Sequence, residues 1–483
     1  MTEVDKDALL RKALMVSVDQ QEQIAQLREQ NAQQAERIAA LEALVEQLRE
    51  ELEKNSSNSS KPPSSDSPSQ REKNRAKRKR RDNKKRRRGG QTGHKGNARQ
   101  LLDAEQVDAI KDHYPAVCNS CWEPLPQTSE AFSRFQVTDL AGRGGGIFVV
   151  EHRRHSTRCS CGFVTKANRE QIPRFAFGPH FCATVVLFTG VYHLSRRQTR
   201  RMLYEVFGIS IALGTISNIE TRMSPLLKPG YEQAKAEADS AAIKYTDGTG
   251  WRRAGKSLQL WTVASTMVTV FAVLANGSAA TLRSLFGRVK GILISDRAKA
   301  LNFWVMKHRQ ICWAHLYRKF ISFSERDGPA GAIGKTLVEY CEVLFELYGA
   351  YVAGEISRRV FRQRMAPVRS QVEALLHKAV DADIKRLSGS CRNILDHKDA
   401  LWNFVDRKNV EPTNNHAERE LRAFVLWRKK SFGSQSERGD RFAERIMTAV
   451  HTLRKQGRAV FPYLTALLAA ERAGDRPALV PAA

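Results

Sequence analysis

The chain has 483 residues, enough for about three domains, and a formal net charge of +28. No apolar run approaches the roughly 18 residues that a membrane span needs, and its eight cysteines come without a signal-peptide pattern. These features argue against a helical membrane protein and against a disulfide-stapled secreted one. They predict a cytoplasmic protein whose cysteines are thiols or metal ligands.

The charge is uneven. Residues 1–54 carry 7 Lys and Arg against 12 Asp and Glu, whereas residues 55–100 carry 16 against 3. Within 1–54, Ile24, Leu27, Asn31, Gln34, Ile38, Leu41, Val45, Leu48 and Leu52 alternate by three and four. That heptad seam predicts a coiled-coil helix and a homodimer or higher homo-oligomer, with Asn31 as a register-setting polar residue. Residues 55–70 are dominated by Ser, Asn and Pro with no apolar residue, a disordered linker. The run from Arg71 to Arg88 is then thirteen basic residues in eighteen, among them Arg78, Lys79, Arg80, Arg86, Arg87 and Arg88. With GGQTGHKG behind it, this block up to residue 100 predicts salt-dependent contact with nucleic acid, through the phosphate backbone.

Residues 101–170 read as short strands carrying Cys118-x-x-Cys121 and Cys159-x-Cys161. Four thiolates in two chelating turns suit structural Zn²⁺, so a zinc-ribbon-like module is expected, with His155 as an alternative ligand. Residues 171–235 hold two amphipathic segments broken at Gly208-Ile209-Ser210, the spacing of a helix-turn-helix. Thr215, Ser217, Asn218 and Arg222 of the second segment are expected to face outward, toward DNA.

From Ala241 the pattern is strand, strand, strand, helix, strand, which predicts a mixed sheet with a right-handed parallel crossover. The first strand is expected to end at Asp247 in YTDGTGW, the fourth at Asp296 in LISDRAKA. Residues 301–408 read as an all-helical insertion. In its CWAHLYRKF stretch, Cys312 and His315 share a helix face and are expected to pack rather than chelate. Beyond the insertion, TNNHAERELR sets Glu418 near a helix start, where a capping box would by itself account for it. Arg419, Arg422, Arg428 and Lys429 follow, the setting of a surface under a DNA strand. Three carboxylates brought together by a fold form a hard-oxygen site of the kind that holds Mg²⁺ with phosphates.

The order of NSSNSSKPPSSD, GGQTGHKG, the paired cysteines, the Asp247 and Asp296 strands, CWAHLYRKF, NNHAERELR and WRKKSFGS resembles the transposases of bacterial insertion sequence family 66 over most of the chain. The resemblance implies a DDE-type transposase of α/β class. Its RNase H-like mixed-sheet catalytic core, residues 236–300 and 409–483, would be interrupted by the all-α insertion. Matched motif to motif, Asp247, Asp296 and Glu418 would be the catalytic triad and would hold two Mg²⁺, or Mn²⁺, to cut the element's ends and join them to target DNA. Terminal inverted repeats, target DNA and accessory proteins of the same element are the implied partners, in a nucleoid-associated cytoplasmic setting. The family's Asp-Glu-Thr is here Asp247-Gly248-Thr249 and its Asp-Asn-Asn is Thr413-Asn414-Asn415, with the three ligand carboxylates retained. A dimeric end-binding protein that does not cut, and a nuclease of the same fold that does not join strands, are the alternative readings.

Overall fold

A computed structural model describes residues 3–54, 58, 66, 67, 70, 73, 74, 99–141, 146–170, 172–474 and 476–481. They fall in two units, Met1–Thr92 and Gly93–Ala483. The basic residues Arg78, Lys79, Arg80, Arg86, Arg87 and Arg88, and most of the linker, lie outside the described residues.

In the first unit, α1 (Glu3–Glu53) is one continuous helix of 51 residues. From Leu27 onward its heptad positions are exposed among the described residues, with Leu41 54%, Leu48 49% and Leu52 86% exposed.

The second unit is built on two mixed sheets. In the first, β3 (Ile147–Arg158) lies between β1 (Ala109–His113), which runs parallel to it, and β2 (Ala131–Leu140), which runs antiparallel; the short β4 (Val164–Lys166) pairs with the end of β3. Three helices follow: α2 (Pro179–Val186), α3 (Arg196–Phe207) and α4 (Leu213–Ser240). Gly208 ends α3 with φ 64, a left-handed closure that glycine adopts without strain.

The second sheet has the order β7-β6-β5-β8-β9. Its strands are β5 (Ile243–Arg253), β6 (Lys256–Ala264), β7 (Thr269–Leu274), β8 (Ile292–Ser295) and β9 (Arg309–Ile311). β5, β6 and β7 form an antiparallel meander, and the β5–β6 hairpin turns through Ala254 and Gly255, both at positive φ, as a tight two-residue hairpin requires. After β7 the chain crosses through α5 (Ala279–Leu285) and returns as β8, parallel to β5; β9 then adds parallel to β8. The predicted order of strands and helix is thus observed. β9 is an addition inside the stretch read as helical.

Helices cover both faces. Trp313–Ser324 (α6), Gly328–Val352 (α7), Arg358–Asp381 (α8), Ser388–Leu395 (α9) and Asn403–Asp406 (α10) separate β9 from α11 (Asn415–Ser431), α12 (Glu437–Lys455) and α13 (Val460–Ala473). Strand alternation divides the apolar residues between two cores: Leu293 packs with α4 and α12, whereas Ile292 and Ile294 face the core shared with α6 to α10. The outer edge of β7 is closed by α12. Glu444, Thr448 and Thr452, four residues apart on one helix face, accept the backbone N–H groups of Val273, Phe271 and Thr269. An exposed strand edge is thereby satisfied by side chains.

Candidate active site

β8 pairs with β5 only from Ile243 to Tyr245, while β6 accompanies β5 on to Arg253. Beyond Tyr245 the β8 side of β5 is therefore open, and the start of α11 fills it. Asn414 donates its Nδ2–H to the carbonyl of Thr246 at 2.8 Å. Its own backbone N–H goes to the Cys312 sulfur at 3.1 Å, and Trp313 N–H reaches the Pro412 carbonyl at 2.8 Å. These bonds fix the segment before α11 against both β5 and the first turn of α6.

The arrangement gathers Asp247, Asp296 and Glu418 on one cleft of about 730 Å³, lined also by Gly248, Thr249, His315, Asn415, Arg419 and Arg422. Asp247 sits within β5 rather than at its end, because the hairpin with β6 continues past it. Its Oδ1 accepts the Gly248 N–H at 2.8 Å. Burial pushes its carboxyl up to about 6 from the ordinary 3.8, partly offset by that bond and reinforced by the neighbouring Asp296 and Glu418. Asp296 follows β8 directly and turns back to accept the Ala298 N–H at 3.0 Å. The buried Arg309 of β9 holds this loop by donating to the Asp296 carbonyl (3.0 Å), Ser295 Oγ (3.2 Å) and Asn302 Oδ1 (3.0 Å).

Glu418 does not form the capping box. The helix begins after Asn414, with no side-chain cap bond, so Glu418 lies too far along to reach back. Its Oε1 is buried and makes no hydrogen bond among the described residues. The nearest basic groups are His315 Nδ1 at 3.6 Å and the Arg318 guanidinium, Nη2 at 4.0 Å. His315, read from the sequence as packing, opens instead onto the cleft, while Cys312 is fully buried. Burial, helped by Arg318, lowers the His315 pKa.

Gly248 stands opposite Trp261 across the hairpin, and a Cβ on it would meet the indole at 2.5 Å. The space a larger residue would occupy here is taken by Trp261. A carboxylate cluster with one buried oxygen unpartnered, and one acid whose pKa burial raises with its acidic neighbours adding to the shift, fits a divalent cation, which would give the oxygen a partner and favour the ionised acid.

Of the basic residues expected on DNA, Arg419, Arg422 and Lys429 are exposed on α11. Arg428 is not free: it donates to Thr249 Oγ1 at 3.1 Å and to the Gly250 carbonyl. Asn218 is exposed and Thr215 half-buried, but Ser217 accepts from Arg438 at 3.0 Å. Arg222 turns inward against expectation, bonded to Glu471 at 2.7 Å and lying over the Phe175 ring at 3.8 Å.

In the first-sheet module the sulfurs of Cys118, Cys121, Cys159 and Cys161 all lie within 4.8 Å of one another. Each pair sits on a tight turn: Trp122 N–H bonds to the Cys118 carbonyl at 3.0 Å, and Gly162 N–H to that of Cys159 at 2.9 Å. Backbone N–H groups of Cys121 and Ser120 aimed at the Cys118 sulfur lower its pKa, whereas hydrogen bonding within the cluster and burial raise that of Cys121. His155 is not part of the cluster; it pairs with Asp112 at 2.7 Å and the Ser129 carbonyl at 2.5 Å.

Among the described residues no helix is long and apolar enough to cross a membrane. A family of unknown function matches residues 12–100, and no curated protein matches the chain. The family model described as Transposase IS66 family matches residues 174–441, more than half of the chain and a span that includes Asp247, Asp296 and Glu418. The chain belongs to the IS66 family of transposases.

Proposed function

We propose that the chain is a DDE transposase with an RNase H-like core, the sheet β7-β6-β5-β8-β9, in which Asp247, Asp296 and Glu418 are the catalytic carboxylates. The observation that carries this is their convergence on one cleft from β5, the end of β8 and the start of α11. Three hard-oxygen donors fit two Mg²⁺, with Mn²⁺ as a substitute. Bound there, the ions would supply an activated oxygen nucleophile and stabilise the leaving oxygen, first for water at the element's end and then for the freed 3′-hydroxyl at target DNA. The protein's part is to hold the three carboxylates in register through Asn414 and Arg309, and to present Arg419, Arg422 and Lys429 to the DNA backbone.

The four cysteines hold structural Zn²⁺ in a zinc-ribbon-like module, supported by their convergence and turn geometry. The exposed seam of α1 pairs two copies, so that two ends are held together. The paired α3 and α4 contribute to end binding as a helix-turn-helix, through Thr215, Asn218 and the exposed Arg197 and Arg200 of α3. Labelled element ends incubated with Mg²⁺ test the reading. Nicked and joined products support it; intact but shifted DNA favours an end-binding protein, and nicks without joining favour a nuclease.

A further inference from the structure

The cleft contains a nitrogen donor that a three-carboxylate site does not require. Cys312 Sγ, His315 and Glu418 offer ligand atoms within 4.8 Å of one another. Two of the three face each other: His315 Nδ1 stands 3.6 Å from Glu418 Oε1. Both atoms are buried, and neither makes a hydrogen bond among the described residues. Two buried polar atoms 3.6 Å apart without a hydrogen bond leave a cost that a shared partner would remove. Two ligands about 2.1 Å from a common ion stand roughly 3 to 3.5 Å apart, so the observed gap needs a shift of only tenths of an ångström to hold one.

Cys312 is a poor third member. It is fully buried, and its sulfur already accepts the Asn414 N–H at 3.1 Å, the bond that ties α11 to α6. Arg318 offers the competing explanation for Glu418, an ion pair, but at 4.0 Å and with its side chain 56% exposed it is a weak one.

We propose that His315 is a fourth ligand residue, giving one ion position of the cleft a mixed imidazole and carboxylate donor set that takes Mn²⁺ in preference to Mg²⁺. The inference rests on the carboxylate-metal reading above and deepens it. Mg²⁺ takes oxygen donors and keeps its water, whereas first-row transition ions accept imidazole nitrogen readily. The position of His315 follows from the fold: β9 delivers the chain to the cleft, and the first turn of α6 points residue 315 back toward α11.

The test is Mn²⁺ binding to the full-length protein, read by electron paramagnetic resonance. Wild-type protein should show nitrogen modulation from a coordinated imidazole in its bound-Mn²⁺ echo signal. His315→Ala should lose that modulation and bind Mn²⁺ about tenfold more weakly, while Mg²⁺ affinity, measured by competition, changes less than about threefold. Circular dichroism melting confirms that the variant is folded, and His315→Gln, which offers an oxygen ligand but no imidazole, should regain neither the modulation nor the preference for Mn²⁺ over Mg²⁺. Bound Mn²⁺ with no nitrogen modulation in the wild type overturns the proposal while leaving the carboxylate site standing. Mn²⁺ binding unaffected by both Asp247→Asn and Glu418→Gln overturns the carboxylate site itself.

Discussion

Asn414 and Thr246 are joined by a 2.8 Å hydrogen bond that spans 168 positions of sequence and ties the residue before α11 to the residue before Asp247. It occupies the Thr246 carbonyl just past the last residue of β5 that pairs with β8. The distance between Asp247 and Glu418 is thus governed by a side-chain amide. Asn414→Ala should leave a buried carbonyl unpaired, at about 1–3 kcal/mol, and lower strand cleavage at least tenfold. Thermal melting and a cleavage assay on the same preparation check both.

Gly248 and Trp261 are predicted to be coupled. Gly248→Ala places a Cβ against the indole and should cost about 1–3 kcal/mol of stability. In Trp261→Phe background the same substitution should cost less than half as much. Denaturant titration of the two single variants and the double variant measures the coupling; strictly additive effects would show that the indole does not set the residue at 248.

The Asp247 carboxyl has an ordinary pKa of 3.8 and titrates at about 6 in the folded chain, so the folded form holds its proton more tightly than the unfolded form. This contribution to metal-free stability is largest below about pH 4 and is lost as pH rises to about 6. At pH 8, Asp247→Asn should therefore raise metal-free stability, by on the order of 1–2 kcal/mol, while abolishing cleavage. Mg²⁺ affinity of the wild type should increase with pH through about 6, because the ion displaces that proton. Melting curves with chelator at pH 4 and pH 8, compared between the two proteins, read the first effect.

The cysteine cluster should carry one zinc per chain. Cys118→Ser or Cys161→Ser should lose the metal and unfold the module around 101–170, while the sheet that bears Asp247 stays folded. Metal analysis and limited proteolysis distinguish this from a set of unliganded thiols, for which neither metal content nor protease resistance would change.

The uncovered seam of α1 should assemble chains. Replacing Leu41 and Leu48 together by Asp should convert a dimer or larger oligomer to monomer in light scattering, without loss of the cleft's Mn²⁺ binding. A wild-type monomer at micromolar concentration would end the coiled-coil reading.

Much of this organisation could be read in the residues, for local reasons. The apolar strands around Asp247 and Asp296, the heptads and the paired cysteines depend on neighbours in sequence. β9 carries no such local signal, because two of its three residues, Arg309 and Gln310, are polar yet fully buried. Their partners lie far off: Gln310 donates to the Leu401 carbonyl and accepts from Phe404, as Arg222 pairs with Glu471 and Arg428 with Thr249. A charge pattern along one segment says which residues are polar, not which distant group will turn them inward. The same limit hid His315. Its spacing from Cys312 shows a shared helix face, while only the fold shows that one of the pair is buried and the other opens on Glu418.

The most direct measurement is strand transfer by the full-length protein on a labelled element end and target DNA in Mg²⁺, comparing wild type with Glu418→Gln. The wild type should give nicked and joined products. The variant should bind the end with unchanged affinity and yield neither product, a loss of at least about a thousandfold. Joining by the variant at near wild-type rate would contradict the assignment of Glu418, and with it the three-carboxylate site.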